Sequence, residues 1–118
     1  MLDKTEAEYC ARLIGFAAVD IFVRKGASAL VNWADSSRLT PEQVSRAAND
    51  YPGEFAYPTD VVFQKTNTVM TESDGVVEFV VNVPFWSSKE RLSDLEIVLI
   101  VRHKDKSVEI ILWDIDVP

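Results

Sequence analysis

One cysteine and one histidine stand among 118 residues, and these two scarcities remove several chemistries at once. Cys10 has no second cysteine to meet, so no intrachain disulfide can form and nothing calls for an oxidising compartment. Cys10 and His103 are together too few for a His/Cys zinc cluster. The four glycines are scattered and make no glycine-rich phosphate loop. Long apolar runs are lacking too. The longest, Val76 to Trp86, is broken by Glu78, Asn82 and Pro84 and is too short to cross a bilayer. The opening residues MLDKTEAEYC are charged and acidic, unlike the basic and then apolar start of a secretory signal, so the expectation is a cytosolic protein with no membrane partner. Base is scarce relative to acid. Twelve Lys and Arg against nineteen Asp and Glu leave a net charge of −7, which repels phosphate backbones and speaks against nucleic acid. The same charge speeds encounter with a basic partner, although excess acid also serves solubility.

What is present is enough for one core. A chain of this length with 47% hydrophobic residues suits a single domain, residues 1–118. A long helix is predicted from Asp3 or Thr5 to Lys25. Either Asp3 with Glu6 or Thr5 with Glu8 can cap its start, Arg24 and Lys25 complement the dipole at its end, and Gly26 supplies the stop. Its apolar stripe reads as Leu13, Ala17 and Ile21 with Cys10, Ile14 and Ala18, widened by Phe16, Val19 and Val23. A short helical turn follows over Ser28–Trp33, with Ala29, Leu30 and Trp33 inward, and Asp35–Arg38 reads as a loop. Thr40-Pro41-Glu42-Gln43 then starts a third helix that runs to Asn49 or Asp50, with Val44, Ala47, Ala48 and Tyr51 inward.

Past Gly53 the pattern alternates. Phe55 to Asp60 reads as an irregular crossing segment, and a weakly patterned strand falls within Val61–Glu72. Ser73-Asp74-Gly75 is a hairpin turn, followed by a strand Val76–Trp86 whose Pro84 marks an edge or a bulge. Ser87 to Ser93 reads as a charged connector. Strands are predicted for Asp94–His103, with Leu95, Ile97, Leu99 and Val101 on one face, and for Val108–Val117. Strict alternation in the last strand puts Glu109, Ile111, Trp113, Ile115 and Val117 on one face, with Asp114 and Asp116 on the other. Helices first and strands afterwards give an α+β fold, with the helices on one side of a curved antiparallel sheet of about four strands.

No catalytic, cofactor-binding or metal-binding set emerges. His103, between Arg102 and Lys104, reads as a solvated residue, and Cys10 as a small buried apolar one. Asp114 and Asp116 form a pair at a chain end that is either a solubilising feature or part of an acidic contact surface. Of the two tryptophans near strand ends, Trp86 precedes the exposed loop Ser87–Arg91 and is the better contact candidate, while Trp113 is expected in the core. Trp86, Glu90, Asp114 and Asp116 are therefore the candidate partner-binding residues.

The C-terminal half, VVEFVVNVPFWSSKERLSDLEIVLIVRHKDKSVEIILWDIDVP, resembles small bacterial α+β domains of polymorphic-toxin and contact-dependent growth inhibition loci, the immunity proteins. The pattern rests on Val83-Pro84-Phe85-Trp86, Ser93-Asp94-Leu95 and Asp114-Ile115-Asp116-Val117, with Leu39-Thr40-Pro41-Glu42 and Tyr51-Pro52-Gly53 before them. The resemblance implies a cystatin-like or NTF2-like half cone. It also implies a non-enzymatic neutraliser of a basic, nuclease-type toxin domain, with no cofactor. Two other readings compete. One is an interaction or oligomerisation domain using a sheet face that carries Val98 and Ile100. The other is a small-molecule-binding enzyme of the ketosteroid-isomerase kind, for which Asp20 with Tyr9 or Tyr57 is the only candidate set. The oligomeric state is not specified by any of these patterns.

Overall fold

The computed structural model describes residues 3–117. Ten elements follow in order: α1 (Lys4–Lys25), α2 (Ala27–Trp33), β1 (Ser36–Ser37), α3 (Pro41–Asp50), β2 (Phe55–Ala56), α4 (Asp60–Lys65), β3 (Asn67–Ser73), β4 (Val76–Ser87), β5 (Arg91–Lys104) and β6 (Ser107–Asp116). The long helix packs against a strongly curled sheet that forms a half-barrel. The α+β class is as the sequence predicts. The sheet, however, has six strands and is mixed, because β1 pairs in parallel with β6. Its order is β1-β6-β5-β4-β2, and β3 shares with β2 the free side of β4.

Local chemistry explains the helix ends. Asp3 caps α1 by accepting from the Glu6 backbone N–H at 2.8 Å. Gly26, at φ 93°, takes the stop position that a side chain would resist, and its N–H closes on the Phe22 carbonyl at 2.8 Å. Thr40 and Gln43 make the reciprocal capping box of α3, with Pro41 in the first turn. The β3–β4 hairpin turns on Asp74 and Gly75, both left-handed at φ 52° and 79°, as a two-residue turn that matches strand twist requires.

The face that α1 buries is not the one its large residues suggest. Ala7, Ala11, Gly15, Ala18 and Val19 are the buried positions, whereas Leu13 is 44% exposed and Tyr9 56% exposed. Small side chains let the helix sink into the curled sheet. A Cβ placed on Gly15 would stand 3.0 Å from Val81 Cγ1 and 3.5 Å from Val83 Cβ. Opposite it lie the inward residues of β4 (Phe79, Val81, Val83, Phe85) and of β5 (Leu95, Ile97, Leu99, Val101), all buried. Leu30, Val44 and Val62 carry α2, α3 and α4 into the same core. A chain of aromatic contacts, Tyr51–Phe55, Phe55–Phe85 and Phe85–Phe22, closes one end of it.

Other departures have physical reasons. Asp35–Arg38 is not a free loop. The Asp35 and Arg38 N–H groups donate to the Ile110 and Leu112 carbonyls at 2.9 Å, and this short pairing covers part of the β6 edge. Phe55–Ala56 likewise pairs with Trp86–Ser87 instead of only crossing the sheet. Val61–Lys65 is helical, so the weak strand begins at Asn67. The connector after β4 is shorter than predicted, since β5 starts at Arg91. Pro84 sits where β4 loses its outer neighbour: pairing with β3 ends at Asn82 and pairing with β2 begins at Trp86, so its missing N–H breaks no ladder on that side.

The close approach at Gly15 predicts an inverted pattern of sensitivity along α1. Gly15→Leu should cost about 1–3 kcal/mol by overpacking, while Leu13→Ala should cost less than about 1 kcal/mol. Urea unfolding of both variants checks this, and a Leu13→Ala cost above that of Gly15→Leu would refute the packing described.

Candidate functional site

With α1 filling the concave side, the opposite face of the sheet is left without a covering element among the described residues, and the strand registers define what it carries. Val69 of β3 pairs with Val80 of β4, Val80 with Ile100 of β5, and Ile100 with Ile111 of β6, giving an apolar row across four strands. Ile100 is only 8% exposed although no helix lies over it, because its row neighbours shield it. On one side runs the row Thr71, Glu78, Arg102, Glu109. Arg102 donates to Glu78 at 2.9 Å and to Glu109 at 2.8 Å. The hydrogen bond to Glu78 leads in holding this guanidinium protonated above its ordinary range. On the other side come Asn82, Val98 and Asp114, then Pro84, Glu96 and Asp116.

A bulge decides the composition of this second side. Val98 pairs with Asp114 but Leu99 pairs with Leu112, so Trp113 is an extra residue on β6. Alternation therefore breaks there. Leu112 and Ile115 are both buried, and Trp113 and Asp114 both lie on the outer side. Two sequence-based expectations, on Trp113 and on Glu109, are corrected. Trp113 is not a core residue but is 40% exposed, with the Arg38 guanidinium 4.1 Å over its ring. Glu109 does not oppose Asp114 and Asp116 but shares their face. Trp86 is half-buried, packed against the core and paired with Ala56 and Leu92, so it is the more enclosed of the two.

The remaining candidates cluster toward one end of the sheet. Asp116 lies directly across from Glu96, so two carboxylates face each other between strands. Neither joins an ion pair among the described residues, and Glu96 has one hydrogen bond, from Asn82 at 3.4 Å. Asp114 and Asp116 accept from the backbone N–H groups of Ile115 and Val117, both at 2.8 Å, which fixes their first torsions and leaves an oxygen on each for other use. Glu90 stands at the tip of the β4–β5 hairpin, exposed and left-handed at φ 57°. Asp114, Asp116 and Glu96 thus share one face, and Trp113 joins them in place of Trp86. The signal that could have found Trp113 is its flanking by Leu112 and Ile115, two apolar residues that cannot both face inward without a bulge between them.

The other sites considered from sequence are not assembled. Asp20 accepts from Arg24 at 2.7 Å, and Arg24 lies 4.1 Å over the Tyr57 ring, so two members of that set meet only through an arginine. The Asp20 hydrogen bond, ahead of its charge, also raises the Arg24 guanidinium above its ordinary range. Tyr9 is three turns away on α1, edge-on to Phe63 at 5.6 Å. His103 is half-buried and not the fully solvated residue expected. It points inward from β5, edge-on to Phe79 at 6.0 Å, and its Nε2 is buried without a hydrogen-bond partner among the described residues. Nearby, a cavity of about 360 Å³ opens between the start of α1 and the two hairpin turns, lined by Lys4, Ala7, Val77, His103, Lys106 and Val108. No group of three or more His, Cys, Asp or Glu among the described residues is placed to hold a metal ion. No helix among them is long and apolar enough to cross a membrane.

Fold and face together define a small α+β half-barrel with an acid-rimmed apolar outer surface. The chain belongs to the family described as a domain of unknown function (DUF7668), which matches residues 19–118 and so takes in every strand. No curated protein and no solved structure matches it.

Exposure of Trp113 is directly measurable. Trp113→Phe should remove most of the fluorescence that acrylamide quenches readily, and Trp86→Phe should remove little of it. The reverse result would return Trp113 to the core.

Proposed function

We propose that the domain is a cytosolic binding module that neutralises a basic, nuclease-type toxin domain by covering it, with the outer sheet face as the contact surface. The observation that carries this reading is the juxtaposition at one end of that face. An exposed Trp113, with Arg38 over its ring, and the apolar Val98 and Ile100 adjoin Glu96, Asp114 and Asp116, none of which forms an ion pair among the described residues. An exposed aromatic beside apolar neighbours supplies the desolvated centre of an interface, and a mainly acidic rim, with Arg38 its one cation over the Trp113 ring, supplies steering and register. Charge supports the same assignment. Residues 60–118 carry eleven acids against six bases, and residues 1–59 carry eight against six. Lys or Arg from a partner would also relieve the repulsion between Glu96 and Asp116. Glu90, at the neighbouring hairpin tip, extends the rim. Neutralisation of this kind needs a rigid complementary surface and no reacting group of its own.

A toxin encoded beside the gene for this chain is the partner to test. Its purified toxic domain should associate with an on-rate that falls as salt rises. Asp114→Lys with Asp116→Lys should slow association, while Trp113→Ala should leave the on-rate nearly unchanged and speed dissociation by roughly tenfold or more. Stopped-flow kinetics at several ionic strengths measures all three. A salt-independent on-rate, indifferent to the charge reversals, removes the electrostatic argument. Failure of the chain to protect cells that express the toxin removes the function.

A further inference from the structure

One edge of the sheet is closed and the other is open. At the β6 side, β1 and its flanking N–H groups cover part of the edge. At the other side, β3 pairs only with β4, through an unbroken register from Asn67↔Asn82 to Ser73↔Val76. The backbone groups of β3 that point away from β4 have no hydrogen-bond partner among the described residues. Open edges usually carry a device against pairing, such as a lysine, a proline, a bulge or a very short strand. The seven residues NTVMTES have no lysine, proline or bulge and a single charge, Glu72, and Thr68, Val69 and Thr71 favour strand pairing. Side chains on both faces of the strand are uncovered, with Val69 53% and Met70 39% exposed.

We propose that β3 is a self-pairing edge, joining two copies of this chain antiparallel about a two-fold axis at Met70. Charge selects a second copy as the occupant. Two molecules of net charge −7 repel through most of their surfaces, yet this edge carries a single ionised residue, Glu72, which Lys4 neutralises at 3.1 Å. Self-association is least opposed where the surface is neutral. Register selects the axis. Side chains directly opposite in an antiparallel pair share a face, so the two-fold must pass through a residue and not between two. Only the axis at Met70 uses the whole strand: Met70 then faces its own copy, Val69 faces Thr71, Thr68 faces Glu72 and Asn67 faces Ser73. The pairing is isologous and closes at two copies. It sets the outer apolar row of each copy in line with the Thr71, Glu78, Arg102 and Glu109 row of the other, with the two Val69 residues as diagonal neighbours.

Sedimentation velocity on the full chain, without any partner, tests this independently of toxin binding. The chain should sediment as a dimer of the 13.3 kDa unit, dissociating on dilution. Met70→Lys sets two ammonium groups opposite each other and should give a monomer, with far-ultraviolet circular dichroism confirming the fold. Met70→Cys in a Cys10→Ser background should form a disulfide-linked dimer under mild oxidation, because directly opposed strand residues lie within disulfide reach. Asn67→Cys in the same background should not. A wild-type monomer at the highest soluble concentration overturns the proposal. So does a dimer that survives Met70→Lys, which places the contact on another surface, or crosslinking from Asn67→Cys in preference to Met70→Cys.

Discussion

The approach of α1 to the curled sheet is the contact on which the rest of the arrangement depends. With Gly15 so close to Val81 and Val83, no β-carbon fits there without displacing a neighbour. Ala7, Ala11 and Ala18 extend the same slot along the helix. A sheet that curls around a helix needs one narrow enough to lie inside the curl, and a stripe of small residues provides it. Bulk then moves to the flanks, where Ile14, Phe16, Ile21 and Phe22 pack against the core from either side. The same helix fixes the junction of α4 with β3. Arg12 donates to the Thr66 carbonyl at 2.6 Å and to the Phe63 carbonyl at 3.3 Å, while buried Thr66 bonds back to Val62 at 2.8 Å. The guanidinium thereby meets the Thr66 carbonyl just past the end of a short helix and shares the Phe63 carbonyl with the Thr66 N–H.

Filling the concave side has a functional consequence. A half-barrel that binds small molecules keeps its interior open, and here α1 occupies that interior over most of its length. The cavity at the start of α1 lies at the rim, and the His103 Nε2 beside it is turned away from solvent. The broad surface left over is the outer face, and its design is a contrast of two ends. Around Arg102 the carboxylates of Glu78 and Glu109 are internally neutralised. Around Trp113 the carboxylates of Glu96, Asp114 and Asp116 form no ion pair among the described residues, and Arg38 is engaged with the Trp113 ring. One end of the face is electrostatically closed and the other is available.

Features encoded by a few adjacent residues were legible in the sequence. Thr40-Pro41-Glu42-Gln43, Gly26 and Asp74-Gly75 each determine a local geometry without help from the rest of the chain, and each stands where the pattern put it, while of the two caps offered for α1 it is Asp3 that forms, on the Glu6 N–H. The α+β class followed from the change of period past Gly53. Legibility failed where the outcome depends on distant partners. Leu13 outranks Gly15 on any apolar scale, yet which of them is buried depends on how closely β4 approaches. The pairings of Ser36–Ser37 and Phe55–Ala56 need a β6 or β4 edge to exist first. In β6 a strict period of two passes over the inserted residue, whose mark in the sequence is only the spacing of Leu112 and Ile115. Everything before Trp113 was assigned correctly relative to itself, and everything after it slipped by one face.

That slip is also why the acidic corner was only half visible. Asp114 and Asp116 were recognisable as a pair because residues two apart share a side whatever the bulge does. Their relation to Trp113, Glu109 and Glu96 depends entirely on the bulge and on the β5 register. Without the extra residue, Ile115 would leave the core, Trp113 would stand alone among apolar outer residues, and the two aspartates would turn inward against α3 and β5. A single inserted position therefore does two things at once. It keeps Ile115 buried at 8% exposure, and it sets an aromatic ring next to uncompensated carboxylates on the side that nothing covers. A bulge that served packing alone would be equally well satisfied by Ser or Thr at position 113. The cost of exposing a Trp there, held by Arg38 on one side only, is a physical reason to regard that end of the sheet as a surface shaped for contact.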